Sequence, residues 1–533
     1  MPPFAKHACL LPLLLAACTH SGPDPHDPTP IPAPARDSLG SATAQDGYLL
    51  ITPLKSKKVF LVDREGATLH QWETEWEPGN SVYLTERGTL YRCMRIEEDV
   101  DFSGGGIGGG IQEIAADGTV LWEYRMADGQ RHHHHDIEPM PNGNLLLIGW
   151  EKRSAEEALA NGRDPELLRG EEFWPDALYE IRPFGTDGAE IVWQWHSWDH
   201  LIQDSDPEAP HYGVVAEHPE RIDINGDRDP ELKSEEELDA EMDQLAAMGY
   251  AGGDDDDDDA PIPPDSAGPP PHDAAPDSQN DGPPTAKELR RKKFRDADWM
   301  HTNAIDYNAS LDQIAISVRT FDEIWIIDHS TTTAEAASSS GGRRGKGGDL
   351  LYRWGNPAAY GMGTLEDRVL IGQHDVQWIE DGQLGAGGLM VFNNGQDRPG
   401  GEYSSIEEWW PVRNEAGTYL LDADGRFGPA EKSWTYTAPE KADFFSSFIS
   451  GVQRLPNGNT LICSGAPGLL FEVDPAGMIV WEWECDLVSE EEAEGGKDSP
   501  VRANSLFRIT HLMPSHPGLE ALRAQGIGIP PSE

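Results

Sequence analysis

Short apolar segments recur along the chain, and each is bounded by a turn rich in Asp, Asn and Gly. One repeated pattern is a Gly-containing turn, then apolar residues, then Trp-x-aromatic or a close variant, at 117–124, 188–195, 348–354 and 476–483, with a weaker copy at 65–72. A second pattern is an apolar segment interrupted by Pro-Asn-Gly-Asn, at 141–144 and 456–459. Asn-Gly favours a tight β-hairpin because both central residues of that turn need a positive φ. The two patterns predict strands joined by hairpins.

These strands group into repeated units that share one order: an inner strand, a hairpin, a middle strand and a Trp-bearing outer strand. Six such units are predicted, at 46–74, 79–126, 133–196, 299–356, 372–436 and 444–486. Repeated four-stranded units are typical of β-propellers. We therefore predict an all-β fold, a six-bladed β-propeller over 46–500 followed by a C-terminal tail, 501–533. A β-sandwich, the alternative, does not explain why one strand order recurs with the same turn chemistry.

An acidic segment at 204–296 interrupts the repeats. Between 231 and 290 there are 18 acidic and 3 basic residues, including the run Asp254–Asp259. Such a composition cannot bury enough apolar surface to fold by itself, which predicts a largely disordered insertion. Ser234, with Glu237 three residues on, predicts the start of one short helix within it.

A calcium loop is the alternative for part of this segment. Carboxylate and amide residues alternate there as they do in calcium-binding loops, at Asp223, Asn225, Asp227 and Asp229. The glycine and the final glutamate of such a loop are missing from their usual places, because Gly226 is fourth and Ser234 stands last.

The N-terminus predicts export. Residues 1–17 carry one Lys, a short apolar run and then small residues, which is typical of a signal peptide. Leu15-Ala16-Ala17-Cys18 resembles the bacterial lipobox, so Cys18 is the predicted lipidation site and membrane anchor. Residues 18–45 are rich in Pro and predict an extended tether. The expected location is the cell envelope, on the outer membrane facing the periplasm or the cell surface.

Net charge and cysteine content exclude several classes. The formal charge of −53 argues against nucleic-acid binding and against docking on anionic lipid through a basic patch. Without Cys9 and Cys18, three cysteines remain, and their spacing argues against a disulfide scaffold or a Cys-based zinc site. A Cys463–Cys485 bridge and buried free thiols stay equally open.

A set of polar residues shares one register position in the inner strands. His135 precedes the hairpin glycine Gly143 by eight residues, and His374 precedes Gly382 by the same distance. The same count and an aligned Tyr-Asn turn give the whole predicted ring: Asn80, His135, His301, His374 and Ser450. Inner strands line the channel of a propeller, so these side chains are expected to face one point on its axis. His132, His133 and His134 are expected to be solvent-facing loop residues without a role.

Two chemistries fit three imidazoles. They can bind zinc with an open position for water. Alternatively, imidazoles and a guanidinium hold an anion such as a sulfonate while one imidazole acts as the nucleophile. Arg319, in the segment that returns from His301, favours the second, because a cation disfavours a bound metal and its donors match sulfonate oxygens. No metal is therefore predicted.

Several motifs resemble the bacterial arylsulfate sulfotransferase family. They are HHDIEPMPNGN, DWMHTNAIDYN followed by ISVRTFDEIWIIDHS, LLYRWGNP, and GQHDVQWI with LMVFNNG. The most specific part is His301-x-Asn303, then Arg319, then Gln373-His374-Asp375. The resemblance implies a six-bladed propeller in the cell envelope that moves a sulfonate from an aryl sulfate donor to a phenolic acceptor, without a nucleotide cofactor.

The resemblance also implies roles for individual residues. His374 becomes the nucleophile that is transiently sulfonated, and Asp375 or a backbone carbonyl fixes its tautomer. His135, His301 and Arg319 hold the sulfonate oxygens and Asn303 assists. Ser450 and Asn80 are predicted to complete the substrate-binding ring from the register count alone, because the resemblance assigns no residue at Ser450. A small N-terminal domain of the family is replaced here by the tether, which leaves the oligomeric state open. The competing hypotheses are a non-catalytic ligand-binding propeller and a metal-dependent hydrolase that uses the histidine ring.

Overall fold

The computed structural model describes residues 29–30, 43–96, 101–168, 170–227, 297–487 and 504–531. The predicted signal peptide, Cys18 and most of the tether lie outside the described residues, as does 228–296 of the acidic segment, with the predicted helix at Ser234.

The strands and helices follow one another as the repeats predict. The strands up to residue 223 are β1 (Tyr48–Ile51), β2 (Lys58–Val62), β3 (Thr68–Glu73), β4 (Pro78–Leu84), β5 (Leu90–Arg95), β6 (Gly109–Ile114), β7 (Val120–Arg125), β8 (Arg131–Pro139), β9 (Leu145–Glu151), β10 (Arg153–Ser154), β11 (Glu172–Phe173), β12 (Asp176–Phe184), β13 (Gly188–His196), β14 (Leu201–Ile202) and β15 (Ile222–Asp223). The later strands are β16 (Thr302–Asn308), β17 (Gln313–Val318), β18 (Glu323–Asp328), β19 (Tyr352–Trp354), β20 (His374–Trp378), β21 (Leu389–Asn393), β22 (Ser405–Trp409), β23 (Trp434–Tyr436), β24 (Gly451–Arg454), β25 (Thr460–Ser464), β26 (Leu469–Val473), β27 (Ile479–Glu484) and β28 (Thr510–Leu512). The α-helices in the described parts are α1 (Ala155–Ala160), α2 (Thr333–Ala336) and α3 (Pro517–Ala524).

Six four-stranded antiparallel sheets form the blades. Their strand orders are β28-β1-β2-β3, β4-β5-β6-β7, β8-β9-β12-β13, β16-β17-β18-β19, β20-β21-β22-β23 and β24-β25-β26-β27. The prediction of an all-β, six-bladed propeller is confirmed. Two short pairs, β10 with β11 and β14 with β15, lie outside the blades.

The recurring tryptophans join each blade to the next one. An indole Nε1–H on the outer strand of one blade donates to a carbonyl beside the outer strand of the following blade, at 2.7–3.2 Å: Trp122 to Gly188, Trp195 to Gly348, Trp354 to Pro429, Trp434 to Pro475 and Trp481 to Arg64. At the remaining joint, Nε2 of His70 takes this place and lies 2.8 Å from the carbonyl oxygen of Ala116. A buried indole N–H needs an acceptor. The repeat of Trp along the sequence therefore reflects one hydrogen bond repeated around the ring.

The C-terminal segment closes the ring and is not a tail outside the propeller. Strand β28 pairs antiparallel with β1, with Leu49 opposite His511. Beyond it, Leu519 and Leu522 of α3 are fully buried in the same apolar cluster as Leu84. The predicted boundary at 500 is corrected accordingly. A strand of three residues shows no periodicity, and only its pairing partner 460 residues away in sequence defines it.

The start of the acidic segment is also corrected, because residues 204–227 pack against the propeller. Ile222 and Ile224 are fully buried. Arg163 forms an ion pair with Asp227 and donates to the Ile224 carbonyl at 2.5 Å, and the Asp164 amide donates to Asn225 Oδ1 at 2.8 Å. In the candidate calcium loop, Asn225 and Asp227 therefore make structural contacts with Arg163 and Asp164. The last of its four alternating residues, Asp229, lies outside the described residues.

Two further features of the described parts concern cysteines and membranes. Cys93, Cys463 and Cys485 are buried free thiols, so the structure has no Cys463–Cys485 bridge. In these parts of the chain, no helix is long and apolar enough to cross a bilayer.

Candidate active site

Left-handed backbone conformations mark the ring positions of the inner strands. The φ angles are 86° at Asn80, 55° at His135, 49° at His301 and 92° at Ser450, and in the fifth blade the value is 60° at Asp375, directly after His374. Irregular strand pairing accompanies these residues in β4, β8, β16 and β20. A non-glycine residue at positive φ is strained by about 1–3 kcal/mol and tends to occur at functional sites. The ring positions that the sequence predicts thus coincide, to within one residue, with positions where the backbone of the inner strands is irregular.

Three of the predicted imidazoles meet there. The rings of His135 and His301 lie edge to face, with centroids 4.6 Å apart. Burial lowers the pKa of His135 well below the usual value, and the nearby imidazoles of His301, His134 and His374 lower it further. The structure therefore brings His135, His301 and His374 into one electrostatic neighbourhood, in which His135 stays neutral.

His374 presents one unpaired nitrogen. Its Nδ1 lies 2.7 Å from Oδ1 of Asn394 and 3.1 Å from the carbonyl oxygen of Gly372. The orientation of the Asn394 side-chain amide is fixed, because its Nδ2 donates to the carbonyls of Ser446 and Ile449 at 2.8 and 2.9 Å. Two acceptors at Nδ1 require the proton there, so Nε2 carries the lone pair. Nε2 is buried and has no partner among the described residues.

The charge state of His374 agrees with this tautomer. Burial and then the positive charge of Arg319 lower the pKa of His374 to about 3. The imidazole is therefore neutral at neutral pH, as a nucleophile must be.

The expectation that Asp375 sets this tautomer is corrected. Asp375 instead accepts from Arg508 Nη1 at 2.8 Å and from the Val452 amide at 2.7 Å. Asn394 takes the role together with the Gly372 carbonyl, the other expected partner. Sequence reasoning missed Asn394 because it follows the middle strand β21 and shares no register with the ring.

His301 is held by a carboxylate. Its Nδ1 lies 2.5 Å from Oδ2 of Asp298, whose Oδ1 accepts from the indole of Trp150 at 2.8 Å. Burial opposes ionisation of Asp298, but the charge of His301 and its hydrogen bond outweigh burial and lower the pKa of this carboxyl. Asp298 is thus an ionised carboxylate that occupies Nδ1 of His301, and Nε2 is the ring nitrogen that Asp298 does not contact. The sequence did not single out Asp298.

Arg319 supplies the positive charge of the site. It begins a short 3-10 turn, Arg319–Phe321, after β17, and its amide lies 3.4 Å from the carbonyl oxygen of His301. The side chain is half-buried, and its guanidinium makes no ion pair or hydrogen bond within the described parts of the chain. Its donors therefore remain available for an anion beside His374.

Two of the three remaining predicted residues, Asn303 and Ser450, make internal contacts. Asn303 is buried and its Nδ2 donates to the Gln373 carbonyl at 2.7 Å, so it supports the strand residue before His374. The Ser450 hydroxyl donates to Ser446 Oγ at 2.8 Å and accepts from the Gly465 amide at 3.0 Å. Asn80 is half-buried at its ring position. Direct contact of these three side chains with a substrate stays a prediction.

The expectation that His132, His133 and His134 face solvent is wrong. All three lie in β8 and are fully buried. A glycine-rich segment covers them: a Cβ at Gly108 would lie 2.5 Å from Nδ1 of His133, and a Cβ at Gly106 would overlap the His135 ring. The glycines at 104–106 and 108–110 were the available sequence signal, because close backbone approach is one reason for such runs.

Arg508 lies beneath the histidines. It forms ion pairs with Asp136 and Asp375, the residues that directly follow His135 and His374. These carboxylates raise the pKa of Arg508, although burial opposes them. A cavity of about 440 Å³ lies along the inner strands, lined by Arg508, Tyr83, Glu138 and Asp306 among others and by none of the ring histidines. Arg508 thus ties together the two strands that carry His135 and His374.

The described residues include no group of three or more His, Cys, Asp or Glu side chains arranged to hold a metal ion. The ring histidines have an amide, a carboxylate and a guanidinium as neighbours. This arrangement suits an anion that approaches the lone pair of His374.

Solved structures resemble the chain only distantly. A Bacteroides caccae protein of unknown function is 11% identical, with a TM-score of 0.41, over 88% of this chain and 99% of that one. A periplasmic gluconolactonase of Pseudomonas aeruginosa is 11% identical, with a TM-score of 0.36, over 82% of this chain and 95% of that one. Virginiamycin B lyase of Staphylococcus aureus, solved as an inactive variant with quinupristin, is 9% identical, with a TM-score of 0.32, over 85% and 88%. Similarity at this level carries no functional argument.

Sequence comparison is more informative. A search of curated proteins gives no significant match. The family model for arylsulfotransferase (ASST), in contrast, matches residues 41–492, which include all the ring positions. The chain therefore belongs to the arylsulfotransferase family.

Proposed function

We propose that this protein is an arylsulfate sulfotransferase that moves a sulfonate group from a phenolic sulfate ester to a phenolic acceptor through a sulfohistidine intermediate. Family membership supports the general activity. The observation that supports the specific mechanism is the fixed tautomer of His374, with its proton on Nδ1 and an unpartnered, buried Nε2.

In the first half-reaction, the Nε2 lone pair of His374 attacks the sulfur of the donor. An S–N bond forms as the S–O bond to the aryl group breaks, and the electron pair leaves on the phenolate oxygen. The sulfonated imidazole keeps its proton on Nδ1, and this N–H donates hydrogen bonds to Oδ1 of Asn394 and to the Gly372 carbonyl. Donors on the sulfonate oxygens offset charge in the transition state, and one such donor contributes about 3–4 kcal/mol. Arg319, His135 and His301 are the donors of this proposal.

His301 has a second task in the proposal. As an imidazolium beside the Asp298 carboxylate, it gives its Nε2 proton to the departing phenolate. In the second half-reaction, the neutral ring takes the proton of the acceptor phenol, whose oxygen attacks sulfur as the S–N bond breaks. The cycle returns all protons and needs no cofactor. It requires ping-pong kinetics, because the first product leaves before the acceptor enters.

The decisive experiment is intact-mass analysis after brief exposure to 4-nitrophenyl sulfate without an acceptor. We expect the mass of one added SO₃ group, located on His374 by peptide mapping and discharged by phenol. His374→Ala should neither gain mass nor release nitrophenol. The control is His218→Ala, which removes a half-exposed histidine paired with Glu220 and should behave like wild type. Nitrophenol release without a mass gain, abolished by a chelator, would instead indicate the metal-dependent hydrolase, and binding without release a ligand-binding propeller.

We also propose a location in the cell envelope, anchored by lipid on Cys18. This rests on the N-terminal sequence alone, which lies outside the described residues. In a bacterial host, the full chain should fractionate with membranes and Cys18→Ala should move it to the soluble fraction. Equal fractionation of the two would contradict the anchor.

A further inference from the structure

A buried chain of three side chains leads from β12 to the histidine ring. Nε2 of His134 lies 3.2 Å from Oδ1 of Asp176, and Nδ1 of His134 lies 2.8 Å from Nδ1 of His135. His134 is fully buried and Asp176 nearly so. The His134 ring stacks on Trp150, with centroids 4.2 Å apart and planes within 9°. The contact between Nε2 of His134 and Oδ1 of Asp176 is within ion-pair distance, and neither atom has a hydrogen-bond partner among the described residues, so this carboxylate oxygen is the polar group nearest to Nε2.

The contact between the two Nδ1 atoms contains one proton. Whether that proton is bonded to His134 or to His135 decides whether Nε2 of His135 is a hydrogen-bond donor or an acceptor. If His134 is neutral with its proton on Nε2, its Nδ1 accepts from His135, and Nε2 of His135 is a bare acceptor. If His134 is an imidazolium balanced by Asp176, its Nδ1–H donates to His135, and Nε2 of His135 carries a proton. As long as the Asp176 carboxylate keeps a proton on Nε2 of His134, only the second state makes His135 a donor. Burial keeps the pKa of His135 itself low, so His135 remains neutral in both.

The surroundings support the second state. Asp176 is a carboxylate whose Oδ2 is already held by the Thr302 amide at 2.9 Å, which leaves Oδ1 for His134. A second carboxylate, Asp298, is close by, because it accepts from the indole of Trp150, the ring on which His134 stacks. Burial lowers the pKa of His132 to about 4 and the pKa values of His133 and His374 to about 3, so these three imidazoles are neutral at neutral pH, and His301 is the ring imidazole that would oppose a charge on His134. Nε2 of His135 is buried without a partner among the described residues, and an anionic oxygen in the ring would satisfy its proton.

We infer that His134 is a positioning residue for the proposed transfer: paired with Asp176, it donates through Nδ1 to His135 and so places a proton on Nε2 of His135, where it binds a sulfonate oxygen. This inference rests on the proposed function, but the proton positions are measurable without turnover.

The test combines NMR and kinetics on the full chain labelled with ¹⁵N-histidine. Imidazole ¹⁵N shifts distinguish protonated from bare nitrogens, and His135→Gln assigns the signals. We expect Nε2 of His135 protonated and both nitrogens of His134 protonated, with inorganic sulfate moving the Nε2 signal of His135. A bare Nε2 of His135 in the wild-type protein with sulfate would overturn the inference.

Two variants separate proton placement from packing. His134→Phe keeps an aromatic ring on Trp150 but removes the donor, and kcat/KM for 4-nitrophenyl sulfate should fall about 10²-fold, as for loss of one oxyanion donor. In Asp176→Asn, the Thr302 amide holds the amide oxygen, so Nδ2 donates to Nε2 of His134, and a neutral His134 then keeps its proton on Nδ1. The His135 signal should therefore stay protonated, His134 should lose one proton, and the rate should fall much less than in His134→Phe.

The outcomes are distinct. Equal loss in both variants, with an unchanged His135 signal, means a packing role and refutes the inference. If His134→Phe does not fold, the inference is still tested by the protonation of Nε2 of His135 in the wild-type protein and in Asp176→Asn. If the wild-type protein shows the expected proton positions but transfers no sulfonate, the proposed function fails while the proton relay stands.

Discussion

Oδ1 of Asn394 lies 2.7 Å from Nδ1 of His374, and two backbone carbonyls on the other side of the Asn394 amide determine which of its atoms faces the imidazole. An amide from the fifth blade, positioned by carbonyls that lead into the sixth, thus sets the tautomer of the candidate nucleophile. The same geometry leaves Nε2 as the only nucleophilic nitrogen of that ring.

Asn394→Leu should lower the rate of donor cleavage by roughly 10²–10⁴-fold, the range for a misplaced proton-transfer group. The leucine removes the main acceptor for Nδ1–H, so the lone pair is no longer confined to Nε2. A nitrophenol burst in stopped flow measures this step. The matched control is Asn142→Ala in the exposed hairpin between β8 and β9, which should keep the wild-type burst. A normal burst in Asn394→Leu would show that the Gly372 carbonyl suffices.

Arg319→Ala should lower kcat/KM by about 10²–10³-fold, as for the loss of an oxyanion-hole donor. Arg319→Lys should lie between it and wild type, because lysine keeps the charge but loses the planar fork of donors. Steady-state kinetics with 4-nitrophenyl sulfate compares the three proteins. Equal activity of the lysine and alanine variants would exclude a role for the charge.

The pH dependence of donor cleavage should differ between Arg319→Ala and Arg319→Lys. The positive charge of Arg319 helps to hold the pKa of His374 at about 3, so its removal lets that pKa rise toward the usual value. Protonated His374 cannot attack, and activity is lost as the pH falls through its pKa. The acid limb that His374 contributes to donor cleavage should therefore move to higher pH in Arg319→Ala and stay near the wild-type position in Arg319→Lys. A shift to lower pH would contradict this assignment.

Gly106→Ala should damage the site beyond the strain of its backbone. Gly106 has a φ of 71°, and a Cβ there would overlap the imidazole of His135. Gly143 has a φ of 85° with no atom within 4 Å of an added Cβ, so Gly143→Ala isolates the backbone term, about 1–3 kcal/mol. Urea unfolding should show a larger loss for Gly106→Ala, and its donor cleavage should fall while Gly143→Ala stays near wild type. Indistinguishable variants would mean that the covering segment yields to the extra methyl.

Arg508→Met should destabilise the fold by about 3–5 kcal/mol, because it leaves Asp136 and Asp375 as buried carboxylates without their cation. Arg87→Met removes an ion pair with Glu113 whose arginine side chain is 66% exposed, and it should change stability by less than about 1 kcal/mol. The free energy of unfolding in urea compares the two. Similar small losses in both would show that the ion pairs under the ring contribute little.

Added salt should raise, not lower, the capture of an aryl sulfate. The chain has a formal charge of −53, so the long-range field repels an anionic donor, while Arg319 acts only at short range. Salt screens the distant charges over a Debye length of about 10 Å at 0.1 M. The measurement is kcat/KM against ionic strength with sodium chloride, and a steep fall would contradict repulsion as the dominant effect.

The blade count and the ring register could be predicted from the chain because both depend on local repeats. Short apolar segments and a Trp on the outer strand recur from unit to unit, and two of the units share a Pro-Asn-Gly-Asn hairpin. A constant count of eight residues from the hairpin glycine placed His135 and His374 at one level, and the structure shows left-handed backbone at His135 and, one residue after His374, at Asp375. Local chemistry suffices here, because a hairpin fixes its own register.

The partners of the ring histidines depended on the tertiary structure. Asn394 and Arg508 reach the site from other strands, and the closing strand β28 pairs with a segment at the opposite end of the chain. His134 was assigned to solvent because a run of four histidines shows only its polarity. Ile107, which pairs with His134, and Trp150, on which its ring stacks, lie beside it only in the folded propeller. Proton positions in this site are set by contacts with Asn394, Asp298 and Asp176, none of which occupies a ring position that the hairpin count can place. Repeats therefore determine where the ring histidines stand, and only the closed ring of blades determines which atom of each faces a substrate.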